Sequence, residues 1–211
     1  MRIVKSPTVV KSLLKQYTWS VKPEEKVIYL TFDDGPTPNI TTEVLAILAQ
    51  FDAKATFFCI GKNVAQHPDL FRQIKDSGHT IGNHTYDHLK GWLHPTSKYI
   101  ENTQKAANLI ASKLFRPPYG RIKPAQTKAL KSLGYSLVMW DVLSYDWDAQ
   151  IQKEQVLENC LRAANNGSII VFHDSYKAAN NMLYALPRVL HYFTEKGYRL
   201  ENLDVLLHQA N

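Results

Sequence analysis

The chain has 211 residues, of which 45% are hydrophobic and 21% are charged, and this is the composition of an ordinary globular domain. No apolar run approaches the roughly 18 residues that a membrane-spanning helix requires. The formal net charge is +6, but no basic block or stripe of basic and aromatic residues accompanies it, so we expect no nucleic-acid partner. We expect a single domain over 1–211, with its core at about 26–207.

Predicted strands and helices alternate along the chain. The first strand is rich in Val, Ile and Tyr, and the helix after it places Val44, Ile47, Leu48 and Phe51 at helical spacing. The predicted strands are 26–32, 55–61, 79–85, 114–120, 135–142, 168–174 and 198–207. The predicted helices are 41–51, 63–78, 97–114, 123–134, 152–167 and 180–196.

This alternation predicts parallel strands in a buried sheet. Two α/β architectures fit it, an open doubly wound sheet and a closed barrel. No Gly-rich dinucleotide fingerprint follows the first strand, so a nucleotide-binding open sheet loses support. In a barrel the chemistry gathers at the C-terminal ends of the strands, so the residues that follow each strand are the candidates for function.

Polar and aromatic side chains follow five of the predicted strands. In chain order they are Asp33 and Asp34; His84 and His88; Arg116 and Tyr119; Asp141, Asp146 and Trp147; and His173 and Asp174. Because the ends of parallel strands lie at one rim in either architecture, we expect these groups to converge.

The segment HTYDH places His84 and His88 four residues apart. On one helical turn the two imidazoles would share a face and could bind one cation. Two histidines with a carboxylate from a neighbouring strand end form a recurring catalytic zinc arrangement, which also suits other divalent metals. The adjacent Asp33 and Asp34 could then divide the roles of base and ligand, and the structural alternative is a turn or helix-capping pair.

Five motifs at these strand ends, TFDDGP, HTYDH, RPPYG, WDVLSYDW and IIVFHD, occur in one order. In this the chain resembles the polysaccharide deacetylase family, the NodB-like domain of the family-4 carbohydrate esterases, from about Lys26 to the last strand. The resemblance implies a distorted, incomplete TIM-like (β/α) barrel of about seven parallel strands.

The resemblance also implies roles for individual residues. Asp33 matches the catalytic base, Arg116 the arginine that orients it, and His173 the catalytic acid. The metal ligands would be Asp34, His84 and His88.

The implied substrate pocket involves three further residues. Tyr119 matches the residue whose backbone N–H helps to hold the oxyanion, Trp147 matches an aromatic wall of the acyl pocket, and Val171 stands where the family usually has leucine. Leu143 occupies the place, three residues before the Asp-Trp pair, where the family usually has an aspartate that interacts with the acid. We expect Asp141 or Asp174 to substitute for it in tuning His173.

The function implied is a metal-dependent hydrolase that removes an N-acetyl group from an amino sugar in a glycan, such as peptidoglycan or a chitin-like oligosaccharide. Zinc is the expected cofactor, with Co, Ni, Mn and Fe as alternatives. An O-acetyl ester, a formylated amino sugar or a small cyclic amide are alternative substrates. A sugar-binding protein without catalysis is an alternative of a different class, favoured by Leu143.

The compartment stays open. Residues 1–19 are basic but lack the apolar stretch and cleavage site of a secretory signal, so the chain is cytoplasmic by default or a cell-envelope or secreted protein whose signal is absent. Cys59 lies in a strand-like run and Cys160 in a helical one, which predicts two buried thiols without a disulfide. The oligomeric state is not indicated.

Overall fold

The computed structural model describes residues 2–207, and eight strands in this range belong to one sheet. The strands are β1 (Val27–Asp33), β2 (Thr56–Cys59), β3 (Thr80–Asn83), β4 (Leu114–Phe115), β5 (Ser136–Leu137), β6 (Val142–Leu143), β7 (Ile169–His173) and β8 (Arg199–Glu201). The α-helices are α1 (Thr8–Leu13), α2 (Ile40–Gln50), α3 (Gly61–Gln66), α4 (Pro68–Asp76), α5 (Thr96–Ala107), α6 (Pro124–Ser132), α7 (Lys153–Ala163) and α8 (Ala179–Glu195). Short 3₁₀ turns lie at Gly91–Leu93, Pro118–Gly120 and Asp204–Leu206.

The sheet is a curled half-barrel of parallel strands. Its order is β5-β4-β3-β2-β1-β7-β6, and β8 pairs with the first half of β1. All of the strand pairs are parallel. The predicted incomplete barrel of about seven parallel strands is therefore confirmed.

The fifth predicted strand, 135–142, is two strands at opposite edges of the sheet. β5 pairs with β4, and β6 pairs with β7. The residues between them cross from one edge to the other, because Val138 N–H donates to the Phe115 carbonyl at 2.8 Å and Asp141 N–H donates to the Ile169 carbonyl at 3.0 Å. Periodicity alone does not reveal this crossing, so the sequence predicts one continuous strand where the structure has two.

β1 is the centre of the core, and all seven of its residues are buried. Such a strand is covered on both faces, as parallel sheets between helices are. Phe32 stacks on Phe57 and Phe172, with ring centroids 5.0 and 5.9 Å apart. Burying each of these side chains contributes about 1.5–3 kcal/mol. The core thereby fixes the end of β1, where the two aspartates lie.

Several helices differ from their predicted bounds. The predicted helix 63–78 is two helices, α3 and α4, because Pro68 lacks a backbone N–H and instead occupies the first position of α4. Cys59 and Cys160 are both buried and free, as predicted. Over residues 2–207, none of the helices has the length and apolar character that crossing a bilayer requires.

The segment before β1, to which the sequence assigns no element, lies against the sheet. Lys5 bridges to Val142, Thr18 to Val138, and Ser20 to Ser168. These contacts attach the N-terminal residues to the part of the sheet where the chain crosses between its edges.

Candidate active site

A cleft of about 550 Å³ opens at the C-terminal ends of the strands. Its lining residues are Asp33, Asp34, His84, His88, Lys90, Tyr119, Arg121, Trp140, Leu143, Trp147, Val171, His173, Ser175 and Lys177. The end of β1 supplies the two aspartates, the loop after β3 the first two histidines, and the end of β7 His173. The expected convergence of strand ends therefore occurs.

Asp34, His84 and His88 form a cluster that could hold a metal ion. Their ligand atoms lie within 4.8 Å of one another. His88 Nε2 is 3.2 Å and His84 Nε2 is 3.8 Å from Asp34 Oδ1. Within the part of the chain that the structure describes, no other group of three such residues comes together. Two imidazoles and one carboxylate match the donor set of catalytic zinc sites.

The loop that carries the two histidines is not the helical turn that the four-residue spacing suggested. Thr85 and His88 have φ of 64° and 55°, which no right-handed helical turn allows. The Asn83 side chain accepts a hydrogen bond from Thr85 N–H at 2.8 Å, and Thr85 Oγ1 accepts one from Leu89 N–H at 3.1 Å. The loop therefore folds back on itself and brings the rings of His84 and His88 to 5.1 Å.

The surroundings of His84 suit a neutral metal ligand. Its Nδ1 lies 2.7 Å from the Arg116 carbonyl, which can only accept, so Nδ1 carries the proton. Its Nε2 is then the free lone pair, and it faces Asp34. Burial lowers the pKa of His84 to about 4, so the ring is uncharged at neutral pH.

Asp34 is held as a carboxylate by its neighbours. Burial raises its pKa, but the hydrogen bond from His88 and the charge of His173 outweigh burial, and the net pKa is well below the usual range. Its backbone has φ of 81°, and its carbonyl accepts a hydrogen bond from Asn63 Nδ2 at 2.7 Å. The turn thus points Asp34 toward the histidines.

Asp33 points instead to a buried arginine. Arg116 is fully buried, and its Nη1 donates to Asp33 Oδ1 at 2.7 Å and to Thr31 Oγ1 at 2.8 Å. Its Nη2 donates to the Met139 carbonyl at 2.9 Å, and its guanidinium lies 4.1 Å from the centre of the Phe58 ring. A guanidinium with so many fixed contacts holds Asp33 in one orientation.

His173 is bound by a second carboxylate, that of Asp146. Its Nδ1 lies 2.8 Å from Asp146 Oδ1, and its backbone N–H donates to Asp146 Oδ2 at 2.7 Å. Burial lowers the pKa of His173, but the charge and hydrogen bond of Asp146 outweigh burial and raise it to about 9. The ring is therefore protonated at neutral pH, and because Nδ1 is engaged, Nε2–H is its free donor.

Residues 20–138 match the family model described as polysaccharide deacetylase. The chain belongs to the polysaccharide deacetylase family. Its similarity to individual members extends well beyond the matched segment, as three comparisons with named proteins demonstrate.

A peptidoglycan-N-acetylglucosamine deacetylase of Bacillus cereus is 36% identical over 198 residues, which cover 90% of this chain and 92% of the relative. A chitooligosaccharide deacetylase of Azorhizobium caulinodans is 37% identical over 161 residues, covering 73% of this chain and 76% of the relative. The crystal structure of the Bc1960 peptidoglycan N-acetylglucosamine deacetylase, in complex with a naphthyl-substituted N-oxidanyl-benzamide, has a TM-score of 0.86 and 30% identity, covering 94% of this chain and 95% of that one.

For this polysaccharide deacetylase we expected Asp141 or Asp174 to substitute in tuning His173, but a different carboxylate binds the ring. The carboxylate on the His173 ring is Asp146. Asp141 instead binds the N-terminal segment through Lys11 and Lys5, and it accepts a hydrogen bond from Ser168 Oγ at 2.5 Å. The chain crosses between the sheet edges here, and this turns Asp141 away from the acid.

Asp174 supports the aspartate loop. Its carboxyl group accepts hydrogen bonds from Gly35 N–H at 3.0 Å and Thr41 Oγ1 at 2.6 Å, and burial raises its pKa to about 8. A Cβ added to Gly35 would lie 1.9 Å from Asp174 Oδ2, so only glycine allows this approach.

The sequence did contain an indication that Asp146 lies near His173. Asp146 directly precedes Trp147, and the Trp147 ring packs 4.7 Å from the His173 ring.

The predicted pocket residues all line the cleft. Val171 is buried, and Trp147 and Leu143 lie beside it. Tyr119 has φ of 59°, and its ring lies 4.6 Å from that of His88. Sequence reasoning missed the lining residues Lys90, Arg121, Trp140, Ser175 and Lys177, because none of them belongs to a pattern that indicates chemistry.

A larger cleft of about 800 Å³ lies at the other end of the sheet, near the starts of β3 and β5. It contains His79, whose Nδ1 accepts a hydrogen bond from Ala55 N–H at 3.2 Å. Volume alone does not identify an active site, and the charged cluster makes the smaller cleft the candidate.

Proposed function

We propose that this chain is a metal-dependent hydrolase that removes an N-acetyl group from an amino sugar in a peptidoglycan or chitin-like glycan. One observation carries the proposal: a three-ligand cluster, a carboxylate fixed by a buried arginine and a protonated histidine line one cleft. The names of the relatives above support a glycan as substrate.

Asp34, His84 and His88 would hold the divalent cation. They fit it chemically, because His84 is fixed with its Nε2 lone pair toward Asp34 and Asp34 is ionised. Zinc is favoured by a donor set of two imidazoles and one carboxylate, with Co, Ni, Mn and Fe as alternatives. When bound, such a cation polarises the acyl carbonyl and lowers the pKa of water.

Asp33 serves as the general base in this proposal. It is the carboxylate of the adjacent pair that is not one of the three cluster residues, and Arg116 holds it in one orientation. A positioned base that takes a proton from the attacking water contributes about 10²–10⁴-fold to the rate.

His173 serves as the general acid. An amine is a poor leaving group until it is protonated, so deacetylation requires a proton at the sugar nitrogen. Asp146 holds Nδ1 and stabilises the imidazolium, which leaves Nε2–H to donate into the cleft. His173 is thus charged in the resting enzyme and ready to act.

Three apolar lining residues select the acyl group in this proposal. Trp147, Val171 and Leu143 form an apolar wall that suits a small acetyl group. The backbone N–H of Tyr119 would donate to the oxyanion of the tetrahedral intermediate, and one such donor is worth about 3 kcal/mol.

The test is release of acetate from chitin oligomers, peptidoglycan fragments and acetylated xylan by the metal-loaded protein. Release from the first two, with little from xylan, supports amide hydrolysis on an amino sugar. Release from xylan alone would indicate an O-acetyl esterase instead. Formylated amino sugars and small cyclic amides are the further substrates to compare.

The alternative of a sugar-binding protein without catalysis rested on Leu143. The hydrogen bond between Asp146 and the His173 ring supports catalysis instead, because it supplies a carboxylate partner despite Leu143. A binding protein also has no need of a base fixed by a buried arginine.

A further inference from the structure

The rim of the active-site cleft is positively charged. Lys90, Arg121 and Lys177 are among its lining residues. The acidic residues on the same surface, within the part of the chain the structure describes, are Asp33 and Asp34. Asp33 is paired with Arg116, and Asp34 belongs to the ligand cluster, so neither neutralises the rim.

Arg121 lies over an aromatic ring. Its guanidinium carbon lies 4.2 Å from the centre of the Trp92 ring, and Trp92 Nε1 donates to the Ile122 carbonyl at 3.1 Å. A stacked guanidinium keeps the N–H groups on its edge available for a ligand. Since Trp92 already orders the side chain, a ligand that binds Arg121 has little rotamer entropy to remove.

Lys90 is placed beside Arg121 by the backbone. Gly91 N–H donates to the Arg121 carbonyl at 3.0 Å, and the buried Gln126 donates from Nε2 to the Gly91 carbonyl at 2.9 Å. A Cβ on Gly91 would lie 2.5 Å from the Arg121 carbonyl oxygen, so glycine is needed for this approach. Lys90 Nζ lies 5.7 Å from the centre of the Tyr119 ring, a range at which the two attract.

The loops after β3 and β4 are therefore joined, and they present two cations at one corner of the cleft, which we call the cationic corner (Lys90 and Arg121). Lys177, four residues after His173, also lines the cleft. Its charge acts on the carboxylate of Asp148, so we do not count it as part of the cationic corner.

We propose that the cationic corner is a subsite for a carboxylate carried by the glycan, and that it makes the enzyme prefer acidic amino-sugar substrates to neutral ones. A guanidinium fork matches a carboxylate geometrically, and the ammonium of Lys90 adds a second charge. This inference rests on the proposed function. The carboxylate is either an ether-linked acid on the sugar or part of an attached peptide, and the test separates these two sources.

The experiment compares kcat/KM for three acetylated oligomers of equal length: a neutral N-acetylglucosamine oligomer, an oligomer containing N-acetylmuramic acid, and the latter with its stem peptide. Wild type is expected to prefer a carboxylate-bearing oligomer, and added salt should reduce the preference. Arg121→Gln and Lys90→Gln should each lower the ratio of acidic to neutral kcat/KM about fivefold, mainly through KM. Arg121→Lys should give a ratio between those of wild type and Arg121→Gln, because lysine keeps the charge but lacks the paired N–H donors of a guanidinium.

Arg188→Gln is the matched control. Arg188 also stacks on an aromatic ring, that of Tyr184 at 3.9 Å, but it lies on α8 outside the cleft lining. Its loss should leave the substrate ratio unchanged. A ratio that is equal in wild type and Arg121→Gln, or one that falls equally in Arg188→Gln, overturns the inference.

Binding measured by calorimetry separates this inference from the proposed function. If no oligomer releases acetate, the proposed function fails, and the titration still decides the subsite. Weaker binding of an acidic oligomer to Arg121→Gln, with the neutral oligomer less affected, supports the carboxylate subsite. The oligomer that shows the loss, with or without peptide, identifies the source of the carboxylate. Equal binding of acidic oligomers to wild type and to Arg121→Gln overturns the inference.

Discussion

Asp146 binds His173 at two points, through Oδ1 to the ring Nδ1 at 2.8 Å and through Oδ2 to the backbone N–H at 2.7 Å. The two contacts fix both the ring orientation and its tautomer. Burial lowers the pKa of His173, but the carboxylate of Asp146 outweighs this effect and raises the pKa to about 9. A proton donor for the leaving amine therefore exists at neutral pH.

Replacing Asp146 should move the alkaline limit of activity. In the proposed mechanism His173 acts in its protonated form, so activity should be lost as pH rises through its pKa. In Asp146→Asn that pKa should fall from about 9 to about 6.5 or lower, because burial remains and the anion is gone. We expect roughly 30-fold lower kcat/KM at pH 8, measured across a full pH profile.

The control for this change is Asp148→Asn, which removes an acidic residue from the same segment. Asp148 pairs with Arg2 on the surface, so its loss should leave the alkaline limb in place. An alkaline limb that stays unmoved in Asp146→Asn would show that His173 is not the group that titrates.

Asp33→Asn should abolish turnover while the cation stays bound. The asparagine oxygen can still accept from Arg116, so the fold should survive, but an amide cannot take a proton. We expect a loss of about 10²–10⁴-fold in kcat, with metal content unchanged by elemental analysis. Asp69→Asn, at an exposed acidic position of α4, is the control. Undiminished turnover in Asp33→Asn would contradict the assignment of the base.

Asp34→Asn should lose the cation first. Asparagine tolerates the positive φ of this position, 81°, so the substitution removes a charged ligand without straining the turn. His88→Gln should act similarly, and His94→Gln, outside the cluster, should not. The readouts are metal content and the rise in thermal unfolding temperature on adding zinc, which depends on affinity. Full metal content in both ligand variants would show that the ligand set is different.

Asp141→Asn should reduce stability and leave the pH profile alone. Asp141 is buried and accepts charged hydrogen bonds from the N-terminal segment through Lys11, so its replacement should cost about 1–3 kcal/mol of unfolding free energy. Urea unfolding measures this change. Glu158→Gln, which breaks the exposed pair with Arg162, should cost less than about 1 kcal/mol. A shifted alkaline limb in Asp141→Asn would restore its expected role in tuning the acid.

The parallel sheet and the candidate ligand cluster could both be predicted from the order of the residues. Alternating strands and helices admit few architectures, and in each of them the ends of parallel strands meet at one rim. Asp34, His84 and His88 therefore come together even though the turn between the histidines is not helical, because the sheet positions the ends of β1 and β3.

Only the tertiary structure decided which carboxylate serves His173. Asp141 and Asp146 lie five residues apart beside one predicted strand, and periodicity cannot tell which of them faces the acid. That choice follows from the crossing of 138–141 between the two sheet edges, which gives Asp141 to the N-terminal segment and Asp146 to His173. The proximity of Lys90 and Arg121 likewise depends on tertiary contacts. The two loops are joined through Gly91 and Gln126, and loops have no periodic residue pattern from which such a contact could be predicted.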